Sequence, residues 1–286
     1  MVEQFLYKRP GSLEEAFSWM REEAGNYILY AGGTDILVRL RSGRLHTKCV
    51  IDVKAVPELQ GIRETETEIR IGAAATLREI ADHKLIQSWY PALCRAAAEV
   101  GSVPIQNKAT LAGNIQNASP AGDGLIAAFA TDASVEVVSA RGIRRCPLET
   151  HVLGPGKTGL LPGELVSAVI LPKRIWTDLY FFKTGRRNAL AISIVNGSVL
   201  LERDDGGTVL DCRIVLGAVA PKPLRIQEAE RLLRGETLHA ALTEEVGACV
   251  SAAVHPITDL RASAEYRKYL AGVLVKRQLL NAEEHG

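Results

Sequence analysis

Two β-type runs, residues 189–202 and 208–219, are separated by little more than Asp204-Asp205-Gly206-Gly207. An Asp/Gly turn between such runs is a strong hairpin signal, because its glycines accept the positive φ that a tight antiparallel connection requires. The hairpin ties two long strands antiparallel and so excludes a purely parallel, doubly wound sheet. Shorter strand-like runs precede it at 27–31, 49–53, 69–73, 132–138 and 164–171, the last bracketed by Pro162-Gly163 and Pro172. Ser12-Leu13-Glu14-Glu15 and Thr76-Leu77-Arg78-Glu79 mark helix starts, where a hydroxyl can accept the amide three residues on while Glu reaches back. They predict helices to about residues 22 and 86. Later helices are expected over 226–233 (stopping at Gly235), from Thr243 to about 253, and over 264–280, where Tyr266, Tyr269, Leu270, Val273, Leu274 and Leu280 form an apolar stripe. The pattern reads as α+β. An N-terminal domain over 1–173, in two α+β parts at about 1–54 and 55–173, hands over through Lys173-Arg174-Ile175-Trp176. A smaller domain of antiparallel sheet plus helices is expected over 177–283.

The residue types leave few chemistries open. A net charge of +1 with scattered Lys and Arg gives no footprint for nucleic acid or an anionic membrane. Cys49, Cys94, Cys146, Cys212 and Cys249 form no C-x-x-C pair, so a zinc or iron–sulfur site built by this chain alone is not expected, and reduced, inert thiols are. His46, His83, His151, His239, His255 and His285 are scattered, and none has a motif that would make it catalytic. No apolar run is long enough to span a bilayer, and Met1-Val2-Glu3-Gln4-Phe5 lacks the basic and apolar parts of a secretory leader. A cytoplasmic protein is expected.

What remains is two bends of small residues. Ala31-Gly32-Gly33-Thr34-Asp35-Ile36-Leu37 follows a strand-like run. Paired glycines let successive amides converge on an anion, and a pyrophosphate is the natural guest, although a bare tight turn uses the same residues. No Walker A string and no G-x-G-x-x-G occurs, which weighs against a P-loop ATPase and a Rossmann dehydrogenase. The second bend, within 105–123, holds Thr110-Leu111-Ala112-Gly113-Asn114 and ends in Asn117-Ala118-Ser119-Pro120-Ala121-Gly122-Asp123. Rich in small and amide side chains, it reads as a loop that wraps a ligand. Asp123 either caps the apolar run that follows it or accepts hydrogen bonds from ligand hydroxyls.

With these bends the sequence resembles the flavoprotein subunits of molybdenum hydroxylases. That family includes bacterial xanthine dehydrogenases, carbon monoxide dehydrogenases and nicotinate dehydrogenases, and carries A-G-G-T/H-D/S-L-L and then T-x-G-G-N-x-x-x-A-S/D-P-x-x-D. The likeness extends to Val50-Ile51-Asp52-Val53, Pro57-Glu58-Leu59, Ile71-Gly72-Ala73, Gly163-Glu164-Leu165-Val166 and Phe182-Lys183, and so covers most of the chain. It implies a vanillyl-alcohol-oxidase-type FAD-binding domain followed by a C-terminal sheet with helices. It also implies roles by position. Ala31, Gly32, Gly33, Thr34, Asp35, Ile36 and Leu37 would wrap the FAD pyrophosphate. Thr110, Leu111, Ala112, Gly113 and Asn114 would make the second contact to pyrophosphate and flavin. Ser119 and Asp123 would touch ribityl or ribose oxygens, Val166 would form an apolar wall, and Lys183 would lie close to the FAD. No side chain is implied as acid, base or metal ligand. Two positions depart from the family pattern: Ala112 replaces a common glycine and fits only at negative φ, and Gln106 replaces a common arginine. Thr34 follows the glycines near which related folds can carry a flavin-linking His or Cys, so non-covalent FAD is expected.

The resemblance further implies a large molybdopterin-binding subunit and a small subunit with two [2Fe–2S] clusters, assembled as a dimer of heterotrimers. Electrons would pass from those clusters through FAD to NAD+ or another external acceptor. A purine or other N-heterocycle is the first expectation for the substrate of the large subunit. The 4-hydroxybenzoyl-CoA reductase branch, which carries an extra cysteine-ligated cluster on this subunit, is disfavoured by the scattered cysteines. Two further readings stay open: a flavin-free scaffold, hinted at by Ala112 alone, and a stand-alone flavin oxidoreductase.

Overall fold

The computed structural model describes residues 4–187 and 190–284. The first unit holds β1 (Leu6–Lys8), α1 (Leu13–Glu22), β2 (Tyr27–Tyr30), α2 (Ile36–Arg41) and β3 (Cys49–Asp52). β3 lies between β1 and β2, parallel to both. A strand paired on both edges and packed on Met20 of α1 reads as an unbroken apolar run, and all four of its residues are buried. Ser12 caps α1 as expected, but Glu15 reaches the Gly11 amide rather than that of Ser12.

The second unit begins with β4 (Ile62–Glu64) and β5 (Glu68–Gly72). Six helices follow: α3 (Leu77–Asp82), α4 (Lys84–Trp89), α5 (Pro91–Glu99), α6 (Val103–Gln106), α7 (Leu111–Asn117) and α8 (Asp123–Ala130). Then come β6 (Ser134–Ser139), β7 (Gly142–Pro147), α9 (Leu148–His151), the ribbon of β8 (Val152–Gly154) and β9 (Lys157–Thr158), and β10 (Glu164–Pro172). The main sheet is antiparallel in the order β4-β5-β10-β6-β7, which puts the long, buried β10 at its centre. Thr76 and Glu79 form a complete capping box. The single helix expected from Thr76 to about 86 is two helices, because His83 takes an extended conformation (ψ 115°) between α3 and α4.

The third unit is a meander of β11 (Asp178–Thr184), β12 (Val195–Arg203), β13 (Val209–Gly217) and β14 (Leu224–Arg225), followed by α10 (Gln227–Leu233), α11 (Ala240–Ala253) and α12 (Ala264–Glu284). The hairpin read from the sequence is β12–β13. Its first strand begins at Val195; position 189, where the run was expected to start, lies outside the described residues, as does His285. α11 starts ahead of Thr243: His239 Nδ1 accepts the Leu242 amide, and Thr243 is buried inside the helix, donating to the Ala240 carbonyl.

α8 joins the second and third units. All eight of its residues are buried, and Phe181, Leu200 and Val215 of the meander share one core with Ile69, Ile71 and Val169 of the central sheet. Because strand side chains alternate, the opposite face of β12 and β13 (Val199, Leu201, Ile214, Leu216) packs on Val246, Val250, Val275 and Leu279 of α11 and α12. Arg174 and Arg213 staple the same junction. They share Asp211, reach Glu202 and Asp132, and lie 4.2 and 5.5 Å from the Trp176 ring.

Candidate functional site

The two bends touch. A Cβ built on Gly32 would lie 2.7 Å from Ala109 Cα and run into the Lys108 carbonyl, so the approach tolerates only glycine. Gly33 sits at φ +71°, and a Cβ there would enter the ring of Tyr30. Asn117 Nδ2 adds a third link, donating to Asp35 Oδ1 at 3.1 Å. The stretch expected as a ligand-wrapping loop is largely α7. Thr110 Oγ1 accepts the Gly113 amide at 2.9 Å and caps this helix, which ends in left-handed Ala118 at φ 45°. Asn114 Oδ1 accepts the Leu125 amide at 2.9 Å and so caps α8, whose own N-cap, Gly122, has no side chain to offer.

Between the bends opens a cavity of about 510 Å³. Of the residues singled out from sequence, Ala31, Gly32, Gly33, Thr34, Asp35 and Ile36 line it, as do Thr110, Ala112, Gly113, Asn114 and Val166. The amides of Gly32, Gly33, Thr34 and Asp35 donate to no acceptor among the described residues, and neither does that of Ala112 in the first turn of α7. Unpartnered amides converging on a concave surface attract an anion. Val100, Ile105, Leu160 and Leu165 make the rest of the wall apolar, which suits a ring system. Ala112 lies inside α7 and outside the positive-φ residues, so its methyl is accommodated. Gln106 is buried and closes the end of α5, donating to the Ala98 and Val100 carbonyls at 2.6 and 3.2 Å.

The other predicted residues do not line the cavity. Leu37 lies half-buried in α2, and Leu111 is fully buried in the central core. Ser119 Oγ accepts the Ala121 amide. Asp123 is turned inward: Oδ2 accepts from Lys183 Nζ at 2.5 Å, and Oδ1 from Ser193 Oγ and Asn196 Nδ2 at 2.8 and 2.6 Å. Lys183 also donates to the Glu99 carbonyl at 3.0 Å. Protein donors thus engage both carboxylate oxygens that were expected to serve ligand hydroxyls. A buried pair so completely hydrogen-bonded latches α8 to β11 and β12.

Among the cavity residues missed from sequence, Tyr30, Arg39 and Gln116 carry polar groups. Two of these had a signal, since Tyr30 stands just ahead of Ala31-Gly32-Gly33 and Arg39 lies one helical turn beyond Asp35. Gln116 is fixed from behind, with Nε2 2.8 Å from His151 Nε2 and Oε1 accepting from Thr158 Oγ1 at 2.9 Å. Burial pushes the His151 imidazole toward its neutral form, and Arg144 adds to this. The wall strand β10 is anchored at Glu164, which accepts from Arg144 Nε and Nη2 at 2.9 and 2.6 Å and from the Leu161 amide. The Arg144 fork brings its carboxyl down to about 2. That anchor stabilises the fold above the unfolded carboxyl value near ~4.3 and is lost only as pH falls toward the folded one.

Residues 3–174 match the family described as the FAD binding domain in molybdopterin dehydrogenase. The chain belongs to that family. Residues 180–282 of this FAD-binding subunit match the CO dehydrogenase flavoprotein C-terminal domain. The subunit is 31% identical over 279 residues to the xanthine dehydrogenase FAD-binding subunit of Escherichia coli O157:H7, covering 96% of this chain and 95% of that one. It is 32% identical over 272 residues to the nicotinate dehydrogenase FAD-subunit of Eubacterium barkeri, covering 93% and 92%. Carbon monoxide dehydrogenase from Hydrogenophaga pseudoflava matches its structure with a TM-score of 0.93 at 28% identity, covering 100% and 99%. These relatives are dehydrogenase subunits, and the FAD-binding subunit described here is of the same oxidoreductase family. The cavity fits the cofactor: open amides for a diphosphate, apolar walls for rings. No helix among the described residues is long and apolar enough to cross a membrane.

Proposed function

We propose that this chain is the electron-transfer subunit of a multi-subunit molybdenum hydroxylase, holding FAD non-covalently in the cavity between its two bends. The observation that carries the reading is the set of unpartnered amides at Gly32–Asp35 and Ala112, held around one space by the Gly32–Ala109 contact. Those amides hold the diphosphate, and Thr34, Asn114 and Asn117 offer polar side chains beside it. Val166, Leu165 and Leu160 pack against a ring and keep water from it. FAD, when bound, supplies a carrier that accepts and releases electrons singly or in pairs. The protein's part is to hold it, fix its orientation and set its surroundings. Leu37, Leu111, Ser119, Asp123 and Lys183 support the site from behind, with the Asp123–Lys183 latch keeping the meander against the cavity's outer wall.

The partners proposed are a large molybdopterin-binding subunit and a small subunit with two [2Fe–2S] clusters, in a dimer of heterotrimers. Relatives named medium chain of carbon monoxide dehydrogenase and FAD-subunit of nicotinate dehydrogenase support a chain that works as one part of an assembly. Electrons arrive from the small subunit and leave to an external acceptor such as NAD+, with a purine or other N-heterocycle as the substrate of the large subunit. Five cysteines without disulfides suit a cytoplasmic assembly; burial pushes the Cys94 and Cys212 thiols up to about 12, which keeps them inert. The test is to purify the chain, denature it and quantify flavin in the supernatant. One FAD per chain, released without proteolysis, is the expected result. A colourless chain that also takes up no FAD in titration ends the reading.

A further inference from the structure

Arg39 is the only cation among the described residues that line the cavity. Its side chain is exposed, and its guanidinium makes no hydrogen bond or ion pair with another described residue. The nearby cations differ. Lys54 lies over the Tyr30 ring at 5.0 Å and 3.8 Å from Asp52, and Lys108 is outside the lining. The cavity's one carboxylate, Asp35, adds negative charge and is held by Asn117. Backbone amides bring partial charges only, whereas a dinucleotide's diphosphate brings two full ones. We infer that Arg39 neutralises the bound diphosphate from the α2 side of the cavity, and that this ion pair makes the affinity depend on salt. The inference rests on the FAD reading above. Arg39 stands one helical turn after Asp35, its amide donating to the Asp35 carbonyl at 3.0 Å, so both residues face the same opening. A guanidinium forks onto two phosphate oxygens with charge-assisted bonds, which an ammonium matches in charge but not in geometry.

The test titrates FAD into the deflavinated full-length chain, following flavin fluorescence, for wild type, Arg39→Lys and Arg39→Gln. Arg39→Gln is expected to weaken binding about tenfold or more, and Arg39→Lys distinctly less. Raising salt from roughly 0.05 to 0.5 M should weaken wild type and Arg39→Lys severalfold, but Arg39→Gln by less than about twofold, because screening acts on the ion pair. Melting temperatures should not move, since the side chain is exposed. Arg39→Gln binding within about twofold of wild type, with the same salt response, overturns the role of Arg39 and leaves the FAD site standing. A wild-type chain that binds no FAD removes both together.

Discussion

The first bend has no regular structure between β2 and α2, and it requires both of its glycines: Gly32 because the Lys108–Ala109 backbone lies against it, Gly33 because its φ is +71° under the Tyr30 ring. The second bend is the opening of α7, where Thr110 caps the helix and an alanine sits at position 112 without strain. Both expose amides to the same cavity. In the turn, glycine keeps the amides free by holding the chain in a shape other residues refuse. In the helix the Ala112 amide is free by geometry, because a first turn has no preceding carbonyls to bond. The sequence requirement therefore falls heavily on one bend and lightly on the other.

Gly32→Val should show the largest effect. Its side chain meets main chain rather than a flexible side chain, so the bends must separate. A cost of about 3 kcal/mol or more is expected, together with loss of bound FAD. Thermal melting and flavin content measure both. A variant that melts like wild type and keeps its flavin would show that the two bends are not locked together at this residue.

Gly33→Ala comes next. Placing alanine at positive φ costs about 1–2 kcal/mol, and the methyl also presses on Tyr30. From sequence alone, valine at position 33 is expected to remove flavin with little cost to the fold, by blocking the phosphate. The structure points the Cβ into Tyr30 instead, so stability and binding should fall together. The double variant with Tyr30→Ala should recover part of the steric share and none of the backbone share. If melting in the double variant is fully restored, backbone strain at Gly33 is negligible.

The hairpin and the capped helix starts were legible because turn chemistry and capping hydroxyls act locally. The first bend was legible for the same reason. α7 was not: Gly113, Asn114 and Asn117 give weak helical signals, and the helix is imposed by packing of Leu111 and Ile115 into the core. The break at His83 interrupts a pattern that continues on both sides. The Asp123–Lys183 pair joins residues 60 apart in sequence, and nothing local reveals that each is the other's partner. Resemblance could name those residues as close to a ligand but could not say which way their charges point.

Gly113→Leu sharpens the contrast at the second bend. A Cβ there meets only Thr110 Oγ1, at 3.0 Å, and otherwise faces open space. Leucine is the better helix former by about 0.8 kcal/mol but crowds the capping hydroxyl of Thr110, so stability should change by less than about 1 kcal/mol while the side chain fills the cavity. FAD affinity should drop at least tenfold, read by fluorescence titration. Undiminished affinity in a well-folded variant would mean that the ligand does not occupy the space beside α7.

Ala112→Gly should do least, and it bears most directly on the difference between the bends. It restores the residue common in the family at a buried helical position. Glycine inside a helix costs about 1 kcal/mol relative to alanine, which a melting curve resolves. The amide of residue 112 stays where the helix puts it, so FAD affinity should remain within about twofold, the methyl having been accommodated without blocking it. A tenfold gain in affinity would mean that the alanine methyl holds the diphosphate off the helix start, and that the second bend, like the first, depends on the absence of a side chain.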